Sequence, residues 1–172
     1  MALSLPAGEL IDPFGGLSDL AAGVIRTPGT PEESFSDDPL RMMRAARFAA
    51  QLKFEVAPEV LSAMTSMCER ISIISAERVR EELTKLLLSP APSHGLALLV
   101  DSGIAAQVLP ELPKLQLEID EHHRHKDVYE HSLIVLEQAI DLELSHEPQT
   151  PNDIVLRLAA LLHDIGKPKT RR

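Results

Sequence analysis

From Ser36 onward, apolar residues recur at intervals of three and four, the spacing that gathers them on one face of a helix. The first such helix is expected from Ser36 or Asp37, either able to cap it with Pro39 in the first turn, to about Leu52, with Leu40, Met43 and Phe48 among its apolar positions. A second is expected from near Pro58 through Val60, Leu61, Met64 and Met67, where the methionines serve as core filler. A third follows Ser75 and carries Val79, Leu83, Leu86 and Leu87; a fourth runs from Ser93 through Leu96, Leu99 and Val100 to a stop at Gly103. After a polar stretch, EIDEHHRHKD, Asp127 with Glu130 forms a capping box for a helix bearing Val128, His131, Val135 and Ile140. Thr150-Pro151 opens the last helix, with Ile154, Leu158, Leu161 and Leu162 on its apolar side and Gly166 and Pro168 at its end.

Residues 1–35 read differently. Short apolar pieces (ALSL, ELI, GVI) alternate with Pro and Gly, as in DPFGG and RTPGTPEES, which predicts short strands and turns. A two- or three-strand edge does not bury itself unaided, so this segment reads as the end of a domain whose body lies upstream. The last helix likewise lacks a closing partner, and a chain truncated at both ends is expected. The fold class is therefore mainly α, a helical bundle preceded by a short β/turn segment.

Composition narrows the setting. At 44% hydrophobic residues the chain is globular, and with no Trp and one Tyr its core must be aliphatic. A single cysteine, Cys68, excludes an internal disulfide, and no apolar run reaches the length of a membrane span. A soluble, cytoplasmic protein is expected. The net charge of −9 at first argues against nucleic acid, but it is uneven. Residues 37–85 hold eight Lys/Arg against eight Asp/Glu, whereas residues 111–153 hold three against eleven. The neutral segment can still present arginines on one face.

Two groups of residues carry chemistry. Asp38 and Arg41 stand three apart on an expected helix, with Arg44 three further on. One reading is an intrahelical ion pair worth a few tenths of a kcal/mol, on the order of 0.3. The other follows from donors and acceptors: a carboxylate only accepts and a guanidinium only donates. Together they complement the pairing edges of cytosine and adenine, and not those of guanine or uracil. The second group is His163-Asp164 at a helix end, with His131 one helix earlier, an imidazole-carboxylate set suited to a divalent ion. His122, His123 and His125 read as a solvated linker.

DPFGG…DL, VIRTPG and DDPLRMMRAARFAAQLKF together resemble the neck of bacterial CCA-adding enzymes and related poly(A) polymerases. The family motif, Glu-Asp-x-x-Arg-x-x-Arg followed by Arg-Phe-Ala, is met here by Asp37, Asp38, Arg41, Arg44 and Arg47-Phe48-Ala49, with Asp37 in place of the usual Glu. The resemblance implies that Asp38 and Arg41 select incoming CTP and ATP, supported by Asp37 and Arg44. It divides the chain into the end of a nucleotidyltransferase head (1–35), a helical neck that selects nucleotides and binds RNA (36–116) and a partial HD domain (117–172). The SAERVREELTKLLL segment is similar to the family's next helical region and implies contact with the tRNA acceptor end, for which Arg78, Arg80 and Lys85 are the candidate phosphate ligands.

LLHDIGKP and DVYEHSL resemble the HD superfamily of metal-dependent phosphohydrolases. That implies His131, His163 and Asp164 as ligands of a divalent metal (Mn, Ni, Co or Mg), a fourth ligand beyond Arg172, and a phosphate contact for Lys167. The two acidic residues that hold Mg²⁺ in the family's catalytic head have no counterpart here, so no catalytic residue for nucleotide transfer is assigned and the chain alone is expected to be inactive in it. Two other readings remain: a metal-dependent HD phosphohydrolase with a helical RNA-binding appendage, and a non-catalytic RNA-binding module. CCA addition and poly(A) addition are not separated by these motifs.

Overall fold

The computed structural model describes residues 2–117, 128–146 and 152–166. Strands β1 (Ala2–Leu3) and β2 (Leu10–Ile11) form an antiparallel hairpin. The DPFGG turn then starts α1 (Gly16–Ala22): the two Asp12 carboxylate oxygens accept from Gly16 N at 2.9 Å and Leu17 N at 2.7 Å. Those backbone donors, Leu17 first, hold the Asp12 carboxyl below its ordinary value of 3.8. Gly23 ends α1 at φ 67°, a conformation that favours glycine. Strand β3 (Val24–Ile25) pairs in parallel with β4 (Glu55–Val56), tying this segment to the helical body.

The stretch RTPGTPEES is not all turn. Pro31–Asp37 is a helix, α2, because Thr30 caps it, accepting from Glu33 N and donating its hydroxyl to Glu33 Oε2 at 2.7 Å. Phe35 on α2 is fully buried, so the expected boundary at residue 35 falls inside a helix that belongs to the core. The chain then breaks at Asp38, which is extended at φ −146° and ψ 98°. Helix α3 spans Leu40–Leu52, with Pro39 before it and Asp38 Oδ1 accepting from Leu40 N at 3.2 Å. The N-cap is thus Pro39 rather than Ser36 or Asp37, and Asp38, whose side chain accepts from the first turn, stands at a junction between helices instead of on the helix that carries Arg41.

Helices α4 (Pro58–Met67) and α5 (Ala76–Leu87, capped by Ser75) follow as the spacing predicts. After α6 (Pro92–Asp101), Gly103 at φ 80° turns the chain into α7 (Ile104–Val108), and α8 (Glu111–Lys114) runs into a short turn at Leu115–Leu117. Met64 is fully buried and Met67 packs partly buried against the core, as core filler should. The centre of the body is α3 packed on α5 and α6 through Ala46, Ala49, Ala50, Leu86, Leu96 and Leu99.

Helices α9 (Val128–His146) and α10 (Ile154–Leu162) pack on each other, α9 also on α6 and α10 on α5. Asp127, Thr150, Pro151 and Pro168 lie outside the described residues; Asp153 caps α10, accepting from Val155 N at 2.8 Å. The inward face of α9 is Val128, Tyr129, Ser132, Leu136 and Ile140, which leaves His131 and Val135 only half-buried.

One charged side chain joins the two helical parts. Arg157, on α10, is 1% exposed. It donates from Nη1 to the carbonyls of Leu87 (2.7 Å) and Ser89 (2.9 Å) at the end of α5, and from Nε and Nη2 to Glu143 Oε2 on α9 (3.1 and 2.8 Å). The other Glu143 oxygen accepts from Asp153 N. A guanidinium fits here because its fork can satisfy a carboxylate and a helix C-terminus together.

Candidate functional site

The α2–α3 junction collects charged groups from four segments. Asp38 accepts from Arg78 Nη2 on α5 at 3.0 Å and lies 3.8 Å from Arg44 Nη1. Arg41 donates from Nη1 to the Ser34 carbonyl (3.2 Å) and hydroxyl (3.0 Å) and has Asp37 at 3.9 Å. Its Nε and Nη2 have no hydrogen-bond partner among the described residues. The expected Asp38–Arg41 ion pair is therefore not the arrangement found: each side chain is held by other groups.

Behind them lies Glu82, 5% exposed, which the sequence reading passed over. It takes Arg47 Nε at 2.7 Å, Arg44 Nε at 3.4 Å and Lys85 Nζ at 3.8 Å. Arg47 also donates to Gln51 at 2.8 Å and covers the Phe48 ring at 4.2 Å. A signal existed: Glu82 falls on the face of Val79, Leu83 and Leu86, an acidic residue on an apolar stripe.

A cavity of about 420 Å³ opens beside this cluster, its walls including Arg26, Ser34, Arg41, Arg44 and Phe48. Arg26 is committed elsewhere, to Glu59 at 2.9 Å and Asp19 at 2.6 Å, and those carboxylates raise its pKa further above the ordinary guanidinium value. Glu59 is held below its usual range by its own backbone N–H and then by Arg26. The cavity thus presents outward-facing guanidinium donors beside an aromatic wall. Of the three basic residues expected to meet phosphate, Arg78 serves Asp38 and Lys85 serves Glu81 and Glu82; Arg80 has no such partner among the described residues.

The second site is formed where α10 ends beside α9. Donor atoms of His131, His163 and Asp164 lie within 4.8 Å of one another. His163 Nε2 is 3.1 Å and His131 Nε2 3.9 Å from Asp164 Oδ2, and the imidazoles meet edge-on at 5.3 Å between ring centres. His163 Nδ1 lies 2.8 Å from the Ala160 carbonyl, which only accepts, so a proton placed on Nδ1 would leave the Nε2 lone pair for a cation among the three side chains. Two imidazole nitrogens and a carboxylate fit a borderline divalent ion. Lys167, His122, His123 and His125 lie outside the described residues.

Comparison with known proteins accords with this architecture. Residues 53–115 match the family described as "Probable RNA and SrmB- binding site of polymerase A", and residues 128–172 match the HD domain. The chain therefore holds a segment similar to the polymerase A RNA-binding family followed by one similar to the HD domain. The chain is 40% identical over 167 residues to the multifunctional CCA protein of Neisseria gonorrhoeae and 36% identical to that of Nitrosospira multiformis, in each case covering 95% of this chain and 38% of the relative. The chain is thus similar to curated CCA proteins, of whose length it spans well under half. Among solved structures, it resembles the Bacillus stearothermophilus CCA-adding enzyme in complex with CTP (28% identity, TM-score 0.62, 95% of this chain and 44% of that one). A tRNA nucleotidyltransferase complexed with a primer tRNA and an ATP analogue shares the fold at 24% identity and a TM-score of 0.70, with coverage of 91% and 43%.

Proposed function

We propose that this chain is the base-selecting and RNA-holding part of a cytoplasmic tRNA nucleotidyltransferase that extends the tRNA 3′ end with CCA, or with A alone, from CTP and ATP. The reaction in the whole protein is attack of the tRNA 3′-hydroxyl on the nucleotide α-phosphate, which forms the new phosphodiester as the α–β bond breaks and pyrophosphate leaves. Charge stabilisation there falls to Mg²⁺ held by acidic residues of a catalytic domain outside this chain.

The observation that carries the reading is the division of labour at the α2–α3 junction. Asp38 supplies acceptor oxygens while being fixed by Arg78 and the Leu40 amide, and Arg41 is fixed through one nitrogen with Nε and Nη2 left over. A cytosine or adenine edge offers an amino donor and a ring acceptor, the complement of that pair. Anchored side chains make the selection without a template, because the energetic difference between bases comes from unmatched buried donors and acceptors. The relatives named for CCA proteins and for complexes with CTP support the same assignment.

The test is nucleotide incorporation by the full-length protein. Asp38→Ala and Arg41→Ala should narrow the preference for CTP and ATP over UTP and GTP by at least tenfold, about 1.4 kcal/mol. Unchanged preference in both variants would reject the assignment.

A second activity is favoured by the clustered His131, His163 and Asp164: an HD-type phosphohydrolase. These residues would hold a divalent cation, whose contribution when bound is Lewis acidity toward a phosphoryl oxygen. A proton on His163 Nδ1, donated to the Ala160 carbonyl, would leave Nε2 as the ligating nitrogen. Mn²⁺ binding to the full-length protein that is unaffected by His163→Ala would rule this reading out.

A further inference from the structure

A second cavity, of about 330 Å³, lies on another face of α5, away from the base-selecting cluster. Its floor is apolar, from Ile71, Ile74, Val79, Leu83 and Val108, and its rim carries Ser72, Gln107 and Arg80. Arg78 and Arg80 are two residues apart, roughly 200° around a helix axis, so they serve opposite sides of α5. Arg78 closes on Asp38 at 3.0 Å, whereas Arg80 is exposed and makes no hydrogen bond or ion pair with any described residue. In this respect it stands alone, since each of the other described arginines donates to a carboxylate, carbonyl or hydroxyl. Glu77 and Glu81 flank it on the same helix, yet neither pairs with it, and Glu81 is engaged by Lys85.

We propose that this cavity is a nucleotide-binding pocket for RNA, taking one unstacked base of the bound RNA against its apolar floor while Arg80 meets the adjoining phosphate. The volume suits a small planar group. Splayed-out bases are held by their faces and read at their edges; here the aliphatic floor and the Arg80 guanidinium would take the ring face and Gln107 its edge. Every lining residue falls within the segment that matches the RNA-binding family, residues 53–115. The choice of RNA as partner rests on the proposed function; the pocket adds where on the chain one nucleotide is seated and which of the three candidate basic residues meets phosphate.

The experiment is titration of the full-length protein with tRNA lacking its 3′ CCA at several salt concentrations. Arg80→Ala should raise Kd about five- to tenfold and reduce the slope of log K against log salt by about 1, whereas Arg80→Lys should keep the wild-type slope. Val108→Trp, which fills the slot and leaves Arg80 in place, should weaken binding with the slope unchanged; circular dichroism and thermal melting check that it folds. Wild-type affinity in Arg80→Ala overturns the pocket, as does wild-type affinity in Val108→Trp, and a cavity that receives a protein segment instead would give both. Base preference measured on Asp38→Ala separates the two ideas. Preference lost there with RNA affinity intact in Arg80→Ala removes this pocket alone, and the reverse pattern removes base selection alone.

Discussion

The carboxylate of Asp38 takes its hydrogen bond from Arg78, forty residues on in the chain, at 3.0 Å, and not from Arg41, three residues on. Arg78 therefore orients the acceptor while Arg41 stays available as a donor. Arg78→Ala should leave Asp38 held only by the Leu40 amide and Arg44. The expected result in the full-length protein is a three- to tenfold rise in KM for CTP and ATP with a smaller change in kcat, about 1 kcal/mol. Equal kinetics in variant and wild type would show that Asp38 needs no such support.

Glu82 gathers Arg44, Arg47 and Lys85 from a buried position. Glu82→Ala leaves three cations without their common acceptor, one of them, Arg47, with a mostly buried side chain. A loss of about 2 kcal/mol is expected in urea unfolding, with Glu82→Gln intermediate because it keeps hydrogen-bond acceptance from Arg47.

Arg157 and Glu143 are 2% and 7% exposed as side chains. Arg157→Met strands a buried carboxylate and uncaps the end of α5, so about 3–5 kcal/mol should be lost. The double variant Arg157→Met/Glu143→Leu should recover a good part of that loss. A double-mutant cycle measures the coupling, and simple additivity would contradict the pairing.

Gly95 sits where α6 crosses α3. A Cβ there would lie 2.8 Å from the Ala46 carbonyl oxygen and 3.0 Å from both Ala50 Cβ and Leu86 Cδ1. A backbone atom cannot swing aside, so Gly95→Ala should cost roughly 1–3 kcal/mol despite its better helix propensity, visible as a lower urea midpoint.

The Asp12 cap has a defined pH dependence. Its folded-state pKa is depressed, so its contribution is complete above the ordinary value of 3.8 and disappears as pH falls below that value through the folded pKa. Carboxyl NMR of Asp12 should titrate below 3.8, and exchange protection of the Gly16 and Leu17 amides should fall over the same range. In Asp12→Asn that dependence should be absent.

Helix positions from Pro58 to Gly103 were legible because they depend on local spacing and caps, whereas the grouping of His131 with His163 and Asp164 came from the resemblance to the HD superfamily. Helix α2 was obscured by Pro31 at its start and Gly29 before it, although Thr30 and Glu33 form a readable capping box. The strand pairing of Val24–Ile25 with Glu55–Val56 could not be read locally, since its partners are far apart in sequence and two residues long. The same holds for the partners of Asp38 and Arg157. Arg157 did leave a trace, an arginine at helical spacing between Ile154 and Leu161 on an apolar face, but its three acceptors come from distant segments.

Helix α5 meets the charged cluster at the α2–α3 junction through Arg78 in its first turn and Glu82 at its middle, and receives Arg157 at its C-terminal end, six residues ahead of His163. It works as a beam with both ends bolted. Its twelve helical residues span about 18 Å, so a displacement of the helix as one rod would move both groups of contacts together.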